Sequence, residues 1–65
     1  MLTAVPETPE AMTVPEVMSA LRISRFKVYD LIRSNELPSF KIGRARRIPV
    51  DSVRALMRDR LEEAA

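Results

Sequence analysis

Residues 40–49 read FKIGRARRIP, and how this stretch is taken decides the fold. It sets four basic side chains, Lys41, Arg44, Arg46 and Arg47, around Gly43, the only glycine of the chain. Glycine reverses a chain sharply without steric cost. Around it the residues alternate, with Phe40 and Ile42 flanking Lys41 and with Ile48 following Arg47. Alternation on both sides of a glycine marks two short strands joined by a turn. A lone hairpin of this size is not stable in water. Phe40, Ile42 and Ile48 are therefore expected to lie on a helical core while the arginine-rich tip, Gly43 to Arg46, projects into solvent.

Upstream the period is helical. In TVPEVMSAL, Thr13 with Glu16 three residues later forms a capping box, and Pro15 sits in the first turn, where its missing N–H is harmless. Val14, Val17, Met18 and Leu21 recur at helical spacing, which predicts a helix over 14–21. Arg22 and Ile23 interrupt it, and Ser24 caps a second helix, RFKVYDLIRS. There Val28, Leu31 and Ile32 share one face, while Phe26, Tyr29, Asp30 and Arg33 point away. Asn35, which tolerates the left-handed conformation, is expected to end that helix. Downstream Pro49 closes the second strand and Asp51 caps a third helix, with an apolar stripe of Val53, Leu56, Met57 and Leu61 and an Arg58–Glu62 pair.

The order helix, helix, two-stranded wing, helix defines a mainly α fold with a small β-hairpin, a winged helix-turn-helix. Residues 1–12, with Pro6, Pro9 and no apolar period, are expected to form a disordered arm, leaving 13–65 as the domain.

Composition narrows the function. Sixty-five residues make one domain, too small for a deep substrate cavity. There is no cysteine, no histidine, no glycine-rich phosphate loop and no pair of carboxylates placed in a cleft. Disulfides, the usual zinc site and catalysis are therefore not expected, nor is a cofactor. No apolar stretch approaches the ~20 residues that span a bilayer. The acidic start lacks the basic and apolar regions of a signal peptide, so the expected setting is the cytoplasm, without membrane contact.

The net charge of +2 conceals a strong polarity. Residues 1–21 carry three acids and no base. Residues 22–47 carry eight cations against Asp30 and Glu36, a net of +6, and residues 48–65 carry a net of −1. A cationic centre between acidic ends fits a polyanion.

These motifs together bring a resemblance into view. The run from Thr13 to Met57, with S-x-x-x-V-Y-x-L-I-R, E-L-P, K-I-G-R and R-R-I-P in that order, resembles the excisionase-type helix-turn-helix domains of the MerR-like winged-helix superfamily. The resemblance implies binding to double-stranded DNA, with the second helix in the major groove and the wing on the backbone or in the minor groove. It further implies an excisionase, or recombination directionality factor, of a phage or other mobile element. Such a protein bends attachment-site DNA so that an integrase, a tyrosine or serine recombinase, excises the element. A small transcription regulator is the alternative within the same family, and a protein-only adaptor docking through the third helix is the rival from another class.

The sequence departs from the family pattern at four places. Arg22 and Asn35 stand where glycine is usual, Phe26 and Lys27 where small hydroxyl residues are common, and Arg46 where many relatives have an aromatic residue. A positive φ at Arg22 would cost about 1 kcal/mol, so the turn between the helices is expected to differ slightly.

Within the recognition helix the candidate DNA contacts are Ser24, Arg25, Phe26, Lys27, Tyr29 and Arg33. Arg25 and Lys27, in the first turn, are placed for guanine edges, with Arg25 favoured because its fork binds two acceptors. Phe26 suits a thymine methyl, and Tyr29 and Arg33 suit phosphates. In the wing the candidates are Lys41, Gly43, Arg44, Arg46 and Arg47. Arg44 and Arg46 are expected at the tip in the minor groove and Lys41 and Arg47 on the backbone. Opposite charges at centre and ends would let neighbouring copies associate head to tail on DNA.

Overall fold

The computed structural model describes residues 10–64. The elements follow in the order β1 (Ala11–Met12), α1 (Val14–Leu21), α2 (Arg25–Arg33), β2 (Phe40–Ile42), β3 (Ala45–Pro49) and α3 (Val50–Ala64). This is the helix, helix, wing, helix order expected, with one strand added.

Helix ends are where local sequence acts most directly. The Glu16 N–H donates to the Thr13 hydroxyl at 3.2 Å and the Thr13 N–H donates to the Glu16 carboxylate at 2.8 Å, which completes the capping box of α1. Ser24 caps α2 by accepting from the Lys27 N–H at 3.1 Å. At the other end of α2, Asn35 takes φ +65°. Its N–H donates to the Ile32 carbonyl and the Glu36 N–H to the Leu31 carbonyl, a Schellman closure of the helix end.

Arg22 corrects an expectation. It adopts φ +58° and ψ +49°, so the turn keeps the geometry that glycine usually supplies, and an arginine carries the strain. The Arg22 and Ile23 N–H groups both donate to the Met18 carbonyl, which holds the turn closed.

The sheet is three-stranded and antiparallel, in the order β1-β3-β2. Of the arm expected over 1–12, residues 1–9 lie outside the described residues, and Ala11–Met12 form β1, pairing Ala11 with Pro49 and Met12 with Ile48. An unpaired edge of β3 would otherwise present free N–H and C=O groups beside the core. The same approach lets the Glu10 carbonyl accept from the Val50 N–H at 2.8 Å, so α3 begins at Val50, directly after β3, with Asp51 in its first turn.

The core is Val14, Val17, Val28, Leu31, Leu37, Ile48, Val53 and Leu56, all buried, with Leu37, Ile48, Val17 and Val28 fully enclosed. Each helix and β3 contributes, and Leu37 plugs the connection between α2 and the wing. Four residues assigned inward by pattern are found outside it: Phe40 is 42% exposed, Ile42 67%, Met57 47% and Leu61 69%. The cause for the first two is register. Gly43 and Arg44 form a two-residue turn that pairs Ile42 with Ala45, Lys41 with Arg46 and Phe40 with Arg47. Phe40 and Ile42 thus share a face with Arg47, and Ile48 is on the opposite face with Arg46. Met57 and Leu61 lie at the edge of the α3 stripe, turned aside from the face that buries Val53 and Leu56. The pairs formed on that helix are Asp51–Arg54 and Arg60–Glu63, rather than Arg58–Glu62.

Candidate nucleic-acid interface

The fold sets α2 and the wing turn on the surface as two cationic projections. On α2 the core takes Val28 and Leu31, and Tyr29 and Ile32 pack partly against it. Tyr29 is thus a flank residue, half-buried, rather than one pointing fully away. At roughly 100° per residue, Arg25 and Lys27 fall on opposite flanks of the helix, with Phe26 at the crest between them. Phe26 is 73% exposed, the largest apolar group on that face. A buried or self-covered aromatic would be ordinary packing, whereas a crest phenylalanine offers an apolar surface to whatever the helix meets.

Asp30 is the feature that charge counting undervalues. Its carboxylate lies 3.8 Å from the Lys27 ammonium and 3.8 Å from the Arg33 guanidinium, all three groups more than half exposed. These are the only ion pairs formed by α2 cations among the described residues, and they set Lys27, Asp30 and Arg33 side by side on the outer face. A single acid in a cationic field accepts hydrogen bonds and repels phosphate, so it shapes what the helix tolerates.

In the wing, Gly43 has φ +61°, and no neighbour lies within 4 Å of where its Cβ would be. Glycine is required there by backbone conformation alone. With Arg44 outside the positive region, the residue pattern is that of a II′ turn. Arg44 is the tip residue, exposed, and with Lys41 it makes no side-chain hydrogen bond or ion pair among the described residues. Arg46 is placed differently from the expectation. It sits inside β3, half-buried, and donates to the Ser39 hydroxyl at 2.6 Å. Arg47 is also half-buried, and donates to the Arg46 carbonyl at 2.9 Å. Lys41 and Arg44 are therefore exposed without a side-chain partner among the described residues, and Arg46 and Arg47 are braced within β3.

Behind the cationic face a second network ties α3 to the end of α2. Arg60 binds the Glu36 carboxylate and also Glu63 at 3.6 Å. The Ser34 hydroxyl lies 3.0 Å from Glu36 and 3.1 Å from the Leu31 carbonyl, with one proton to share between them. Ser34, then Arg60, hold the Glu36 carboxyl below the usual carboxylate range.

Two short helices, an exposed second helix and a basic wing define a winged helix-turn-helix. Known proteins place the chain further. Residues 11–61 match the model of the helix-turn-helix domain family. An excisionase of Streptomyces ambofaciens is 58% identical over 57 residues, spanning 88% of this chain and 92% of that protein. A Mycobacterium tuberculosis protein named for DNA binding is 33% identical over 48 residues, 74% of this chain and 62% of that one. No solved structure matches significantly. The chain belongs to the helix-turn-helix domain family and is of the excisionase type, a class of DNA-binding proteins that are not enzymes. No helix among the described residues is long and apolar enough to cross a membrane.

Proposed function

We propose that this protein is an excisionase, a recombination directionality factor that loads cooperatively on attachment-site DNA, bends it and directs an integrase toward excision. The outer face of α2 enters the major groove, with Arg25 and Lys27 at base edges, Phe26 against a thymine methyl, and Ser24, Tyr29 and Arg33 toward the backbone. The wing crosses to the adjacent minor groove, Arg44 leading, with Lys41, Arg46 and Arg47 along the phosphates and Gly43 setting the turn. The observation that carries this reading is the pairing of an exposed recognition helix with a basic tip on a chain 58% identical to an excisionase.

Energetics favour several copies. One such module buries roughly 600–1,000 Å² on DNA, which is little for specific binding by a single copy. Side-by-side loading multiplies the contact, and a wing inserted at each step provides the deformation from which a bend accumulates.

Fluorescence anisotropy with a random duplex over a salt series tests the first claim. About five phosphate contacts give a slope of log K against log salt near −4 to −5. A slope near zero belongs to an adaptor and refutes the reading. Circularly permuted attachment-site fragments test the second: stepwise cooperative shifts with position-dependent mobility are expected, and a single unbent complex would remove the excisionase mechanism.

A further inference from the structure

Asp30 is the one acid of α2, and it stands where a helix that meets a polyanion has most reason to avoid negative charge. With Val28 and Leu31 buried, the line opposite their midpoint is the outermost edge of the helix. At roughly 100° per residue, Phe26 and Arg33 lie within about 10° of that line, Asp30 about 50° from it, and Arg25 and Lys27 about 90–110° from it. Asp30 therefore faces outward more directly than either cation given to base edges above. Its carboxylate stands 3.8 Å from Lys27 and 3.8 Å from Arg33, near enough to share their charge. A hydrogen bond needs about 2.7–3.2 Å, so the acceptor sites of the carboxylate are open among the described residues. Exposed pairs of this kind contribute little stability, and an acid that costs affinity on phosphate is offset only where it meets a donor.

We propose that Asp30 is a specificity residue that accepts a hydrogen bond from the exocyclic amino group of a cytosine in the major groove. Only two groups there donate, cytosine N4 and adenine N6. Adenine sets its N7 acceptor beside N6, which repels a carboxylate, whereas cytosine has no acceptor on that edge. Guanine and thymine offer acceptors alone, so both repel Asp30. Lys27 supplies the complement, because the partner of that cytosine is a guanine whose O6 and N7 accept from an ammonium. In the base pair N4 and O6 are bonded to each other at about 2.9 Å. A carboxylate and an ammonium held 3.8 Å apart match that spacing, one for each base.

Asp30 thus lowers affinity everywhere except at its cytosine, which widens the gap between the proper site and bulk DNA. The inference rests on the major-groove placement of α2 proposed above and adds to it the base that is read.

Selection of bound duplexes from a random-sequence library at low salt, with the full chain and sequencing of the bound fraction, tests it. Wild type should enrich cytosine at one position of its site. On the selected duplex, exchanging that C·G pair for T·A should weaken wild-type binding at least about fivefold, the lower end for one wrong base pair. Asp30→Ala should lose most of that dependence while keeping the preferences at other positions. Asp30→Asn should move the preference from cytosine to adenine, because an amide pairs with adenine N6 and N7 together. An acid that only steadies the helix predicts no such change of base. Both variants are at an exposed position and should keep the wild-type helical circular dichroism. Cytosine enriched nowhere by wild type, or enriched equally by Asp30→Ala, overturns the proposal and leaves the DNA reading intact. No duplex retained at low salt sinks the DNA reading, and this inference with it.

Discussion

Replacing Asp30 by alanine separates folding from DNA binding, because the two should move in opposite directions or not together. Asp30 is the one acid of α2 and lies 3.8 Å from both Lys27 and Arg33. Exposed pairs at this spacing contribute about 0.2–0.5 kcal/mol each. Alanine recovers about 0.5 kcal/mol through its higher helix propensity. Stability should therefore change by no more than about 0.5 kcal/mol, the difference of those terms. On DNA the sign is clear. An acid held roughly 7 Å from a phosphate in water contributes about 0.6 kcal/mol of repulsion. Relief from two flanking phosphates amounts to about 1 kcal/mol, a factor of roughly five in affinity. Lys27 and Arg33, released from Asp30, should also steepen the salt slope by about one. Anisotropy against random duplex measures both. Asp51→Ala is the matched control, since it breaks an exposed pair of the same length, Asp51–Arg54 at 3.8 Å, on a helix outside the proposed interface. An unchanged or weaker affinity for Asp30→Ala, or an equal gain for Asp51→Ala, would show that the outer face of α2 does not meet DNA.

Arg22→Gly should raise the melting temperature by about 2–5 °C, since relief of the left-handed strain exceeds the extra freedom of the unfolded chain; a lower melting temperature would mean the arginine side chain stabilises more than its backbone costs. Leu37→Ala removes a fully enclosed side chain, at a cost of about 2–5 kcal/mol, comparable to the whole stability of so small a domain. Its far-ultraviolet circular dichroism should lose the cooperative thermal transition, and a retained sharp melt near wild type would refute the core assignment. Glu36 has its folded-state titration depressed, by Ser34 first and then Arg60. Its contribution is therefore present above the ordinary carboxylate range and is lost as pH falls through the depressed value. Glu36→Gln should flatten the acid limb of the stability profile, measured by urea melts across that range, and an identical acid limb would count against the Ser34–Glu36–Arg60 link.

What was legible in the sequence was whatever a few neighbouring residues decide. Thr13 and Glu16 act across three positions, and Ser24 and Asn35 act on backbone groups within one turn, so both helices of the turn motif could be placed. The wing itself followed from Gly43. Its facing did not, because alternation within each strand says nothing about parity across the turn; a two-residue connection shifts that parity and moves Phe40 and Ile42 to the outer face. Leu37 was invisible for a different reason. It stands alone between Glu36 and Pro38, outside any period, and only the assembled fold shows that it closes the core. The two paired residues of β1 were too few to show a pattern.

The misplaced apolar residues share a physical logic. Phe40 and Ile42 stand outside the core beside Arg47, and Met57 and Leu61 beside Lys27 and Arg60, so each apolar pair sits within a charged patch rather than being covered by the fold. Among the described residues eight apolar side chains, Ile48 among them, are enclosed, and no further element lies over the rest. Residues patterned for burial but left in solvent are surfaces awaiting contact, and disagreement between pattern and fold is expected at functional positions. By this logic the wing face should bind alongside Arg44 and Arg47. Ile42→Ser should then weaken binding to random duplex, measured by anisotropy, while leaving the thermal melt near wild type, and an unchanged affinity would refute this reading of the wing face.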